Sequence, residues 1–514
     1  MYYPSLEQFH RLATEGNLVP VTRTLLADIE TPLSAYRKIR GPSESFLFES
    51  VEGGEHLGRY SFVGCNPRAI VRQTGQRVEV LENGKILETF SIGQNDLTPE
   101  TGARSTFARD GLEVVERLMK KFHPVPLAGL PRFTGGAVGF IGYEFIHDVE
   151  PIVARPPTDE LQTPVMYFIV ADQLLIFDRV AQTLTVLVNA VLEDAASPDE
   201  AYENAVGEIE RLISLLEQPT EHVPVSIPSE VASVPFESNV PKAKFLSNVD
   251  KAKEYIVAGD IIQVVGSQRF STPVKASPID IYRAARSINP SPYMFLLELQ
   301  GFSLVGASPE IHVRCEEGQV EIRPIAGTRR RGANSEEDRA LEAELLADPK
   351  ERAEHVMLVD LARNDLGRVC DFGSVQVKDL MIIERYSHVM HIVSQVRGRL
   401  STNRTPYDLI RATFPAGTLS GAPKIRAMQI IAELEQTARG PYGGCVGYFS
   451  FNGNLDCCIT IRTALLKDGK AYVQAGGGWV TDSNPEAEYQ ETVNKAQAML
   501  KAVALAEGFA GTKL

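Results

Sequence analysis

Short stretches in which apolar and polar residues alternate run through the first part of the chain. The segment RVEVLENGKILETF (77–90) alternates on both sides of Asn83-Gly84, a pair that favours the tight turn of a β-hairpin. Further along, helical stretches such as SNVDKAKEYIVAGD (247–260) are interleaved with paired strand-like stretches such as those in 301–327. Strands in antiparallel pairs with helices between the groups predict an α+β fold with antiparallel sheets, rather than a doubly wound parallel sheet.

A stretch rich in proline and serine, without a sustained helical or strand period, is typical of a linker and divides the chain. The predicted parts are residues 1–220, a linker at 221–240, and residues 241–510. Two glycine-rich stretches echo each other across this linker, GGAVGFIGYE (135–144) and GGCVGYFSFN (443–452). We expect the two strands that they form to lie near one another.

Composition and charge exclude several classes of protein. The net charge of −14 argues against a sequence-independent grip on nucleic acid or on an anionic membrane. The start of the chain lacks the pattern of a signal peptide and its apolar runs are short, so we expect a soluble protein with no membrane partner. The six cysteines include no C-x-x-C pair, which favours the reducing cytoplasm.

Two predicted helices begin with a capping residue followed by proline and then carry paired acids. In the later one, Asn484 and Pro485 precede Glu488 and Glu491, and Lys495 falls on the same helical stripe. By itself such a stripe is typical of a solvated, salt-bridged surface.

The earlier helix opens at Asp348-Pro349 and places Glu351 and Glu354 on one face. Glu351 fits either a capping box with Asp348 or a catalytic role. Glu354 has no capping role, since it is followed directly by an apolar run. Magnesium prefers oxygen ligands and takes one or two carboxylates together with waters and substrate oxygens. Glu354 and Glu491 therefore predict a magnesium site between the two helices.

Six motifs after residue 240 resemble those of the chorismate-utilising enzymes. In chain order they are PIAGTRRRG, ERAEHVMLVDLARNDLGRV, YSHVMHIVSQV, TFPAGTLSGAPKIRAMQII, GGCVGYFS and EAEYQETVNKA. Within that family the chain is most similar to the large, chorismate-binding component (component I) of anthranilate synthases. The resemblance implies an α+β sandwich in which the N-terminal part packs on the chorismate-binding part. It also implies an enzyme that converts chorismate and ammonia to anthranilate and pyruvate with Mg²⁺, the first committed step of tryptophan biosynthesis.

The resemblance assigns roles to individual residues. It implies that Glu354 and Glu491 bind the metal, with Glu488 beside them. The residues implied to bind chorismate are Gly327, Thr328, Tyr442, Arg462, Gly476, Gly477, Gly478 and Lys495. The residues implied in catalysis are His391, Glu310, Glu351, Thr418 and Gln263. Of these, Glu310 matches the proton donor to the departing C4 hydroxyl, and His391 matches the histidine linked to loss of pyruvate.

Gln263 and Ala326 bear on which nucleophile attacks chorismate, and at which carbon. Relatives that add water carry a lysine base where this chain has Gln263, and relatives that make a 4-amino product carry a lysine nucleophile where it has Ala326. Neither residue can act in that way, which implies direct attack of ammonia at C2.

Two departures from the family pattern are Trp479, in place of a smaller aliphatic residue, and Gly266, in place of a bulkier one. Trp479 leaves open an enzyme that stops at 2-amino-2-deoxyisochorismate.

The N-terminal part is implied to hold a regulatory site for L-tryptophan. Glu49 and Ser50 lie in FLFES, which resembles the allosteric element of the family, and Pro292, Tyr293 and Met294 follow across the linker. Taken alone, these segments are typical of a strand edge and a proline-rich turn. With the resemblance, they predict that tryptophan binds between the two parts and inhibits the enzyme.

No segment of the chain resembles a glutamine amidotransferase. Ammonia from glutamine is therefore expected to come from a separate amidotransferase subunit (component II). Two alternatives to this function are another chorismate-utilising enzyme and a tryptophan sensor that has lost catalysis. A sensor of this kind is expected to lack some of the paired acidic residues, whereas this chain has a charged residue at every charged position named above.

Overall fold

The computed structural model describes residues 1–50, 58–93, 105–219, 225, 234–386 and 389–510. The α-helices are α1 (Leu6–Leu12), α2 (Pro32–Ile39), α3 (Gly111–Met119), α4 (Ile146–Val149), α5 (Pro198–Leu216), α6 (Lys242–Val257), α7 (Pro278–Ile288), α8 (Ser335–Ala347), α9 (Pro349–Gly367), α10 (Pro406–Thr413), α11 (Lys424–Glu435) and α12 (Pro485–Ala510).

The strands form three sheets. In chain order they are β1 (Leu18–Leu26), β2 (Ser45–Glu49), β3 (Tyr60–Cys65), β4 (Ala69–Thr74), β5 (Arg77–Glu82), β6 (Lys85–Ile92), β7 (Ser105–Ala108), β8 (Gly136–Ile141), β9 (Met166–Ala171), β10 (Gln173–Asp178), β11 (Thr183–Val191), β12 (Glu237–Ser238), β13 (Gln263–Pro273), β14 (Tyr293–Leu299), β15 (Phe302–Ser308), β16 (Ile311–Glu316), β17 (Gln319–Ile322), β18 (Ile325–Arg330), β19 (Gln376–Val377), β20 (Ile382–Arg385), β21 (Val389–Val393), β22 (Val396–Arg399), β23 (Gly421–Ala422), β24 (Cys445–Ser450), β25 (Leu455–Ile459), β26 (Thr463–Lys467) and β27 (Lys470–Trp479).

Both large sheets have twelve strands. The first runs β1-β11-β10-β3-β2-β14-β15-β26-β27-β13-β12, with β23 paired to β13, and the second runs β19-β22-β17-β16-β25-β24-β8-β9-β4-β5-β6-β7. Within the described residues, the pairing of β6 with β7 is parallel and the other pairings between these strands are antiparallel. The predicted α+β fold with antiparallel sheets is confirmed.

Each large sheet takes strands from both sides of the predicted linker. In the first sheet β2 pairs with β14, and in the second β8 pairs with β24. The last pair joins the two glycine-rich echo segments, with Gly139 opposite Gly447, so their predicted proximity is confirmed. The N-terminal part thus packs on the later part through shared sheets. Most of the predicted linker lies outside the described residues, so the boundary at 221–240 stays a prediction.

The two large sheets form a sandwich whose inner layer contains both aromatic and aliphatic side chains. Phe46 and Phe62 from the first sheet share one buried cluster with Phe140 and Tyr448 from the second. The rings of Phe62 and Tyr448 meet edge to face with their centroids 6.5 Å apart. A second buried cluster covers the outer face of the first sheet with α5, α7 and α12. From α12 this cluster contains residues 496–506, and from β27 it contains Ala471, Val473 and Ala475.

The third sheet is small, with strand order β18-β21-β20. A cluster formed by Leu345, Met390 and Ile392 packs it against α8, and α9 runs alongside β18. In the described part of the chain, none of the helices combines the length and the hydropathy that crossing a bilayer would require.

Candidate functional site

Three glycines at the end of β27 leave room for polar side chains on both faces of the strand. The strand pairs with β13, so that Gly477 lies opposite Gly266. A Cβ atom on Gly477 would lie 3.0 Å from Glu488 Oε2 and 3.6 Å from Glu491 Oε1. A Cβ atom on Gly478 would lie 2.2 Å from Gln263 Nε2. Because neighbouring residues of a strand face opposite ways, the acids of α12 lie on one face and Gln263 on the other.

Helix α12 starts where the sequence predicts. The Asn484 side chain accepts the backbone N–H of Ala487 at 3.1 Å, which caps the first turn. Lys495 Nζ donates to the carbonyl oxygen of Gly476 at 3.0 Å and lies 2.7 Å from Glu491 Oε1. The stripe is therefore tied to the glycine strand and is only partly the solvated surface that its spacing suggests.

Glu488 is the most enclosed acid of this stripe. Its Oε1 accepts a hydrogen bond from the Ser483 hydroxyl at 2.7 Å, whereas its Oε2 is buried and has no hydrogen-bond partner among the described residues. Burial raises the pKa of Glu488, and the nearby Glu491 carboxylate raises this pKa further, while Ser483 and Lys495 oppose both. A buried carboxylate oxygen without a partner is costly unless a ligand or a proton satisfies it.

The first turn of α9 tests the capping role predicted for Glu351. Asp348 caps the helix, since its carboxylate accepts the N–H groups of Lys350 and Glu351 at 2.9 and 3.3 Å. The Glu351 carboxylate does not complete a capping box; it accepts a hydrogen bond from Arg329 Nη1 at 3.2 Å. A Cβ atom on Gly327 would lie 3.2 Å from Glu351 Oε2. Glu351 therefore faces the predicted substrate loop, and its catalytic role stays a prediction.

Gln263 connects the glycine strand to α9. The residue is buried, and its Nε2 donates to Glu354 Oε1 at 3.1 Å. Glu354 is thus linked to the end of the strand through Gln263, and the two α12 acids reach the same strand end at Gly477. Over the residues that the structure describes, no three His, Cys, Asp or Glu side chains form a ready-made metal cluster. The three predicted metal ligands converge on one strand end without forming one cluster.

His391 lies on the third sheet, opposite Thr328. Its Nδ1 is 3.0 Å from the Thr328 hydroxyl and 3.2 Å from the carbonyl oxygen of Gly327. Because a carbonyl oxygen only accepts, this contact assigns the hydrogen to Nδ1 and leaves Nε2 as a base. Burial lowers the pKa of His391, and the Arg462 guanidinium lowers it as well. The imidazole is therefore neutral at pH 7.

Glu310 is an acid held in its neutral form. Burial raises the pKa of Glu310 to about 8, and a hydrogen bond from Thr418 together with the charge of Lys495 opposes part of this rise. The Thr418 hydroxyl donates to Glu310 Oε1 at 3.2 Å. A carboxyl group that keeps its proton at neutral pH can donate that proton to a departing hydroxyl.

Arg462 supplies a positive charge that no counter-ion among the described residues neutralises. Burial lowers the pKa of its guanidinium, and within the described residues no carboxylate lies at ion-pair distance from it. The backbone carbonyl of Arg462 accepts the N–H of Ala307 at 3.1 Å, which anchors the residue to β15. A partly desolvated arginine of this kind suits a ligand carboxylate.

Tyr442 packs beside the glycine strand. Its ring is buried, and a Cβ atom on Gly476 would lie 2.6 Å from its hydroxyl oxygen. The Arg439 guanidinium lies 5.7 Å from the ring centroid.

Together, the predicted residues surround one region formed by the ends of β13 and β27, the third sheet, and the first turns of α9 and α12.

Comparison with known proteins decides the family. A family model described as a chorismate binding enzyme matches residues 67–501. The chain belongs to the chorismate-binding enzyme family. Anthranilate synthase component 1 of Acetivibrio thermocellus is 47% identical over 507 residues, which cover 98% of this chain and 99% of that relative. The corresponding protein of Pseudomonas putida is 46% identical over 98% of both chains.

Two solved structures share the fold of this chain. The crystal structure of anthranilate synthase component I from Streptococcus pneumoniae TIGR4 matches with a TM-score of 0.74 and 35% identity, over 93% of this chain and 99% of that chain. The isochorismate synthase MenF of Escherichia coli matches with a TM-score of 0.65 and 18% identity, over 97% and 98%, which supports the fold alone. The predicted resemblance to the chorismate-utilising enzymes is confirmed.

Two supporting residues were missed by the sequence reasoning. Arg329 holds Glu351, and Ser483 holds Glu488. Arg329 is one of three consecutive arginines in GTRRRG, and no local signal indicates which of the three faces the acid. Ser483 precedes the capping Asn484, and its position next to the helix start was the only available signal.

A separate cavity lies between the two large sheets of this chorismate-binding enzyme. Its volume is about 310 Å³, and its lining includes all five predicted regulatory residues, Glu49, Ser50, Pro292, Tyr293 and Met294. We call it the inter-sheet cavity. Glu49 is buried; its Oε2 accepts the Tyr282 hydroxyl at 2.6 Å, and its Oε1 lies 3.3 Å from Arg286. The structure therefore brings the two predicted segments together around one space.

Proposed function

We propose that this protein is the chorismate-acting component of an anthranilate synthase, which forms anthranilate and pyruvate from chorismate and ammonia. The observation that carries the proposal is the position of Gln263, buried against Gly478 and bonded to Glu354. An amide at this place cannot deprotonate water, whereas ammonia attacks without a base. The full-length similarity to proteins named anthranilate synthase component 1 supports the same conclusion.

Magnesium is the proposed cofactor, and the residues present fit it. Glu488 has a buried oxygen without a partner, and the carboxylates of Glu488 and Glu491 both face the space that a side chain at Gly477 would fill. These oxygen donors suit a hard divalent cation that completes its shell with waters and substrate oxygens. When bound, the metal would neutralise substrate carboxylate charge. Glu354 and Glu491 are the proposed ligands, with Glu488 beside them.

Substrate charge is proposed to be met by two cationic side chains. Arg462 has no carboxylate partner in the described part of the chain and can pair with one carboxylate of chorismate. Lys495 lies at the glycine strand, bonded to Gly476 and Glu491. Because Gly476, Gly477 and Gly478 have no side chains, substrate oxygens can approach their backbone closely.

The first half of the proposed reaction adds ammonia at C2 and expels the C4 hydroxyl. Glu310 gives its proton to that hydroxyl, which leaves as water, and Thr418 orients the carboxyl group. Ammonia forms the new C2–N bond with its lone pair and then loses a proton. The product of this half is 2-amino-2-deoxyisochorismate.

The second half removes the enolpyruvyl group. The C2 proton leaves, and the C3–O bond breaks as the ring becomes aromatic. The enolpyruvyl group departs as enolpyruvate, which takes up a proton at its methylene carbon and becomes pyruvate. His391 is neutral and carries its hydrogen on Nδ1, so its Nε2 is the proposed acceptor of that proton. The position of Trp479 does not favour an enzyme that releases 2-amino-2-deoxyisochorismate as its final product, because the indole packs in the core against Phe245.

The ammonia is proposed to come from a glutamine amidotransferase partner. The relatives are named component 1, which implies a second component.

We also propose that L-tryptophan binds in the inter-sheet cavity, where Glu49 can accept a hydrogen bond from its ammonium group and Pro292, Tyr293 and Met294 can surround its ring. The cytoplasmic location stays a prediction.

The purified chain, incubated with chorismate, Mg²⁺ and either ammonium or glutamine, tests this function. We expect blue-fluorescent anthranilate with ammonium, and with glutamine only after the partner subunit is added. Product from glutamine with the chain alone, or no product with ammonium, would contradict the proposal.

A further inference from the structure

His355 is a fully buried histidine on α9, directly after Glu354. Its exposed fraction is 0%, and its Nε2 lies 2.6 Å from the hydroxyl oxygen of Ser394, which is also fully buried. The Ser394 hydroxyl accepts the backbone N–H of Met381 at 2.9 Å, so its own hydrogen is available to His355. The Ser394 N–H donates to the carbonyl oxygen of Pro324 at 3.1 Å.

The contact joins two elements that carry different parts of the site. Helix α9 bears Glu351 and Glu354, whereas Ser394 directly follows β21, the strand that bears His391. The third sheet consists of β18, β21 and β20 and is hydrogen-bonded to neither large sheet through its strands. Short links join β18 to β17 and β21 to β22, and side-chain contacts hold this sheet against α9. These contacts include the ion pairs of Arg329 with Asp348 and Glu351 at the start of the helix, and His355–Ser394 one turn later.

We propose that His355 is a positioning residue for the second half of the reaction. Through Ser394 it holds the strand of His391 at a fixed distance from the helix of Glu354, so that the base meets a substrate bound by the acids. This inference rests on the proposed function. A displacement of about 1 Å in such a geometry lowers a rate by ~10²-fold.

Buried histidines also serve as simple core residues, and the test separates the two roles. The variants are His355→Leu, which keeps bulk without a hydrogen bond, His355→Gln, which keeps a hydrogen-bonding group of similar reach, and Ser394→Ala. The matched control is His147→Gln, because His147 is a buried histidine with one hydrogen bond, to Val153 O at 3.1 Å, on α4.

For each variant, kcat and KM for chorismate are measured with ammonium and Mg²⁺, the released 2-amino-2-deoxyisochorismate and anthranilate are separated by chromatography, and thermal unfolding is recorded. We expect His355→Leu and Ser394→Ala to lower kcat for anthranilate by ~10²-fold. The KM for chorismate should change little, and the share of released 2-amino-2-deoxyisochorismate should rise. His355→Gln should recover most of the loss, and His147→Gln should lower the unfolding temperature alone.

Three results would overturn the inference. The first is a His355→Leu protein that melts earlier but keeps the parental kcat and product ratio. The second is a His355→Gln protein no better than His355→Leu. If the His355→Leu protein does not fold, the Ser394→Ala protein provides the test. The third contradicting result is a Ser394→Ala protein with the parental kcat and KM. A parent that forms no anthranilate would overturn the proposed function and this inference together, whereas an active parent with unaffected variants would overturn the inference alone.

Discussion

The indole of Trp479 occupies the space that a side chain at Gly266 would need. A Cβ atom on Gly266 would lie 2.0 Å from Cη2 of the indole, across the β13–β27 pair. Trp479 is 1% exposed, and its ring meets Phe245 edge to face at 5.4 Å. Trp479 and Gly266 therefore form one compensating pair: the large residue at 479 fits because the residue at 266 has no side chain.

This pair predicts a non-additive effect on stability. Gly266→Ala should destabilise the protein by about 1–3 kcal/mol through overpacking, and Trp479→Val should destabilise it by about 3–5 kcal/mol through a cavity. The double variant should be more stable than the sum of the single changes predicts. Urea unfolding followed by circular dichroism measures all three. Strictly additive free energies of unfolding would show that the two residues do not compensate each other.

The acid role of Glu310 predicts a pH dependence. Since its pKa is raised to about 8, the carboxyl is protonated below that pH and loses its proton above it. At a constant concentration of free ammonia, kcat should therefore fall as the pH rises through about 8. Glu310→Gln should lower kcat by ~10²–10⁴-fold and abolish the fall of kcat above about pH 8. A Glu310→Gln protein with the parental kcat and the same fall of kcat at high pH would exclude Glu310 as the proton donor.

The proposed metal ligands predict weaker binding of Mg²⁺ in two variants. Glu354→Gln and Glu491→Gln should each raise the Mg²⁺ concentration needed for half-maximal activity, and isothermal calorimetry in the presence of chorismate should record weaker binding. Glu486→Gln is the matched control, because Glu486 lies on the same helix, is exposed and pairs with Lys242. Parental affinity in both test variants would remove these acids from the metal site.

The inter-sheet cavity predicts inhibition by L-tryptophan that depends on Ser50. Ser50→Phe should fill part of the cavity and relieve inhibition, while activity with ammonium stays intact. Thr24→Phe, on the exposed side of β1, is the control and should leave inhibition unchanged. Tryptophan binding and chorismate binding should weaken each other by the same factor. Equal inhibition of parent and Ser50→Phe would place the effector elsewhere.

Local signals in the sequence predicted local structure well. The hairpin turn at Asn83-Gly84 forms with positive φ angles of 49° and 73°, as a type I′ turn requires. The helix starts at Asp348 and Asn484 also form as predicted, because a capping side chain and a proline act within one turn.

Features that depend on distant partners were not predictable in the same way. The capping box at Glu351 had a suitable spacing, yet Arg329, 22 residues earlier, takes the carboxylate instead. Each large sheet joins a block of N-terminal strands to a block of later strands at one strand pair. The glycine-rich echo predicted the β8–β24 junction, whereas no local signal predicted the β2–β14 junction, since strand pairing is set by packing across the whole core. Trp479 and Gly266 were each noticed, but only their register in the sheet relates them.

The most direct measurement of the central proposal is the fate of labelled nitrogen. The purified chain is incubated with chorismate, Mg²⁺ and ¹⁵N-ammonium, and the products are identified by mass spectrometry. We predict anthranilate that carries one ¹⁵N atom, with one pyruvate formed for each anthranilate. Isochorismate, a 4-amino product, or 2-amino-2-deoxyisochorismate as the final product without pyruvate would contradict it.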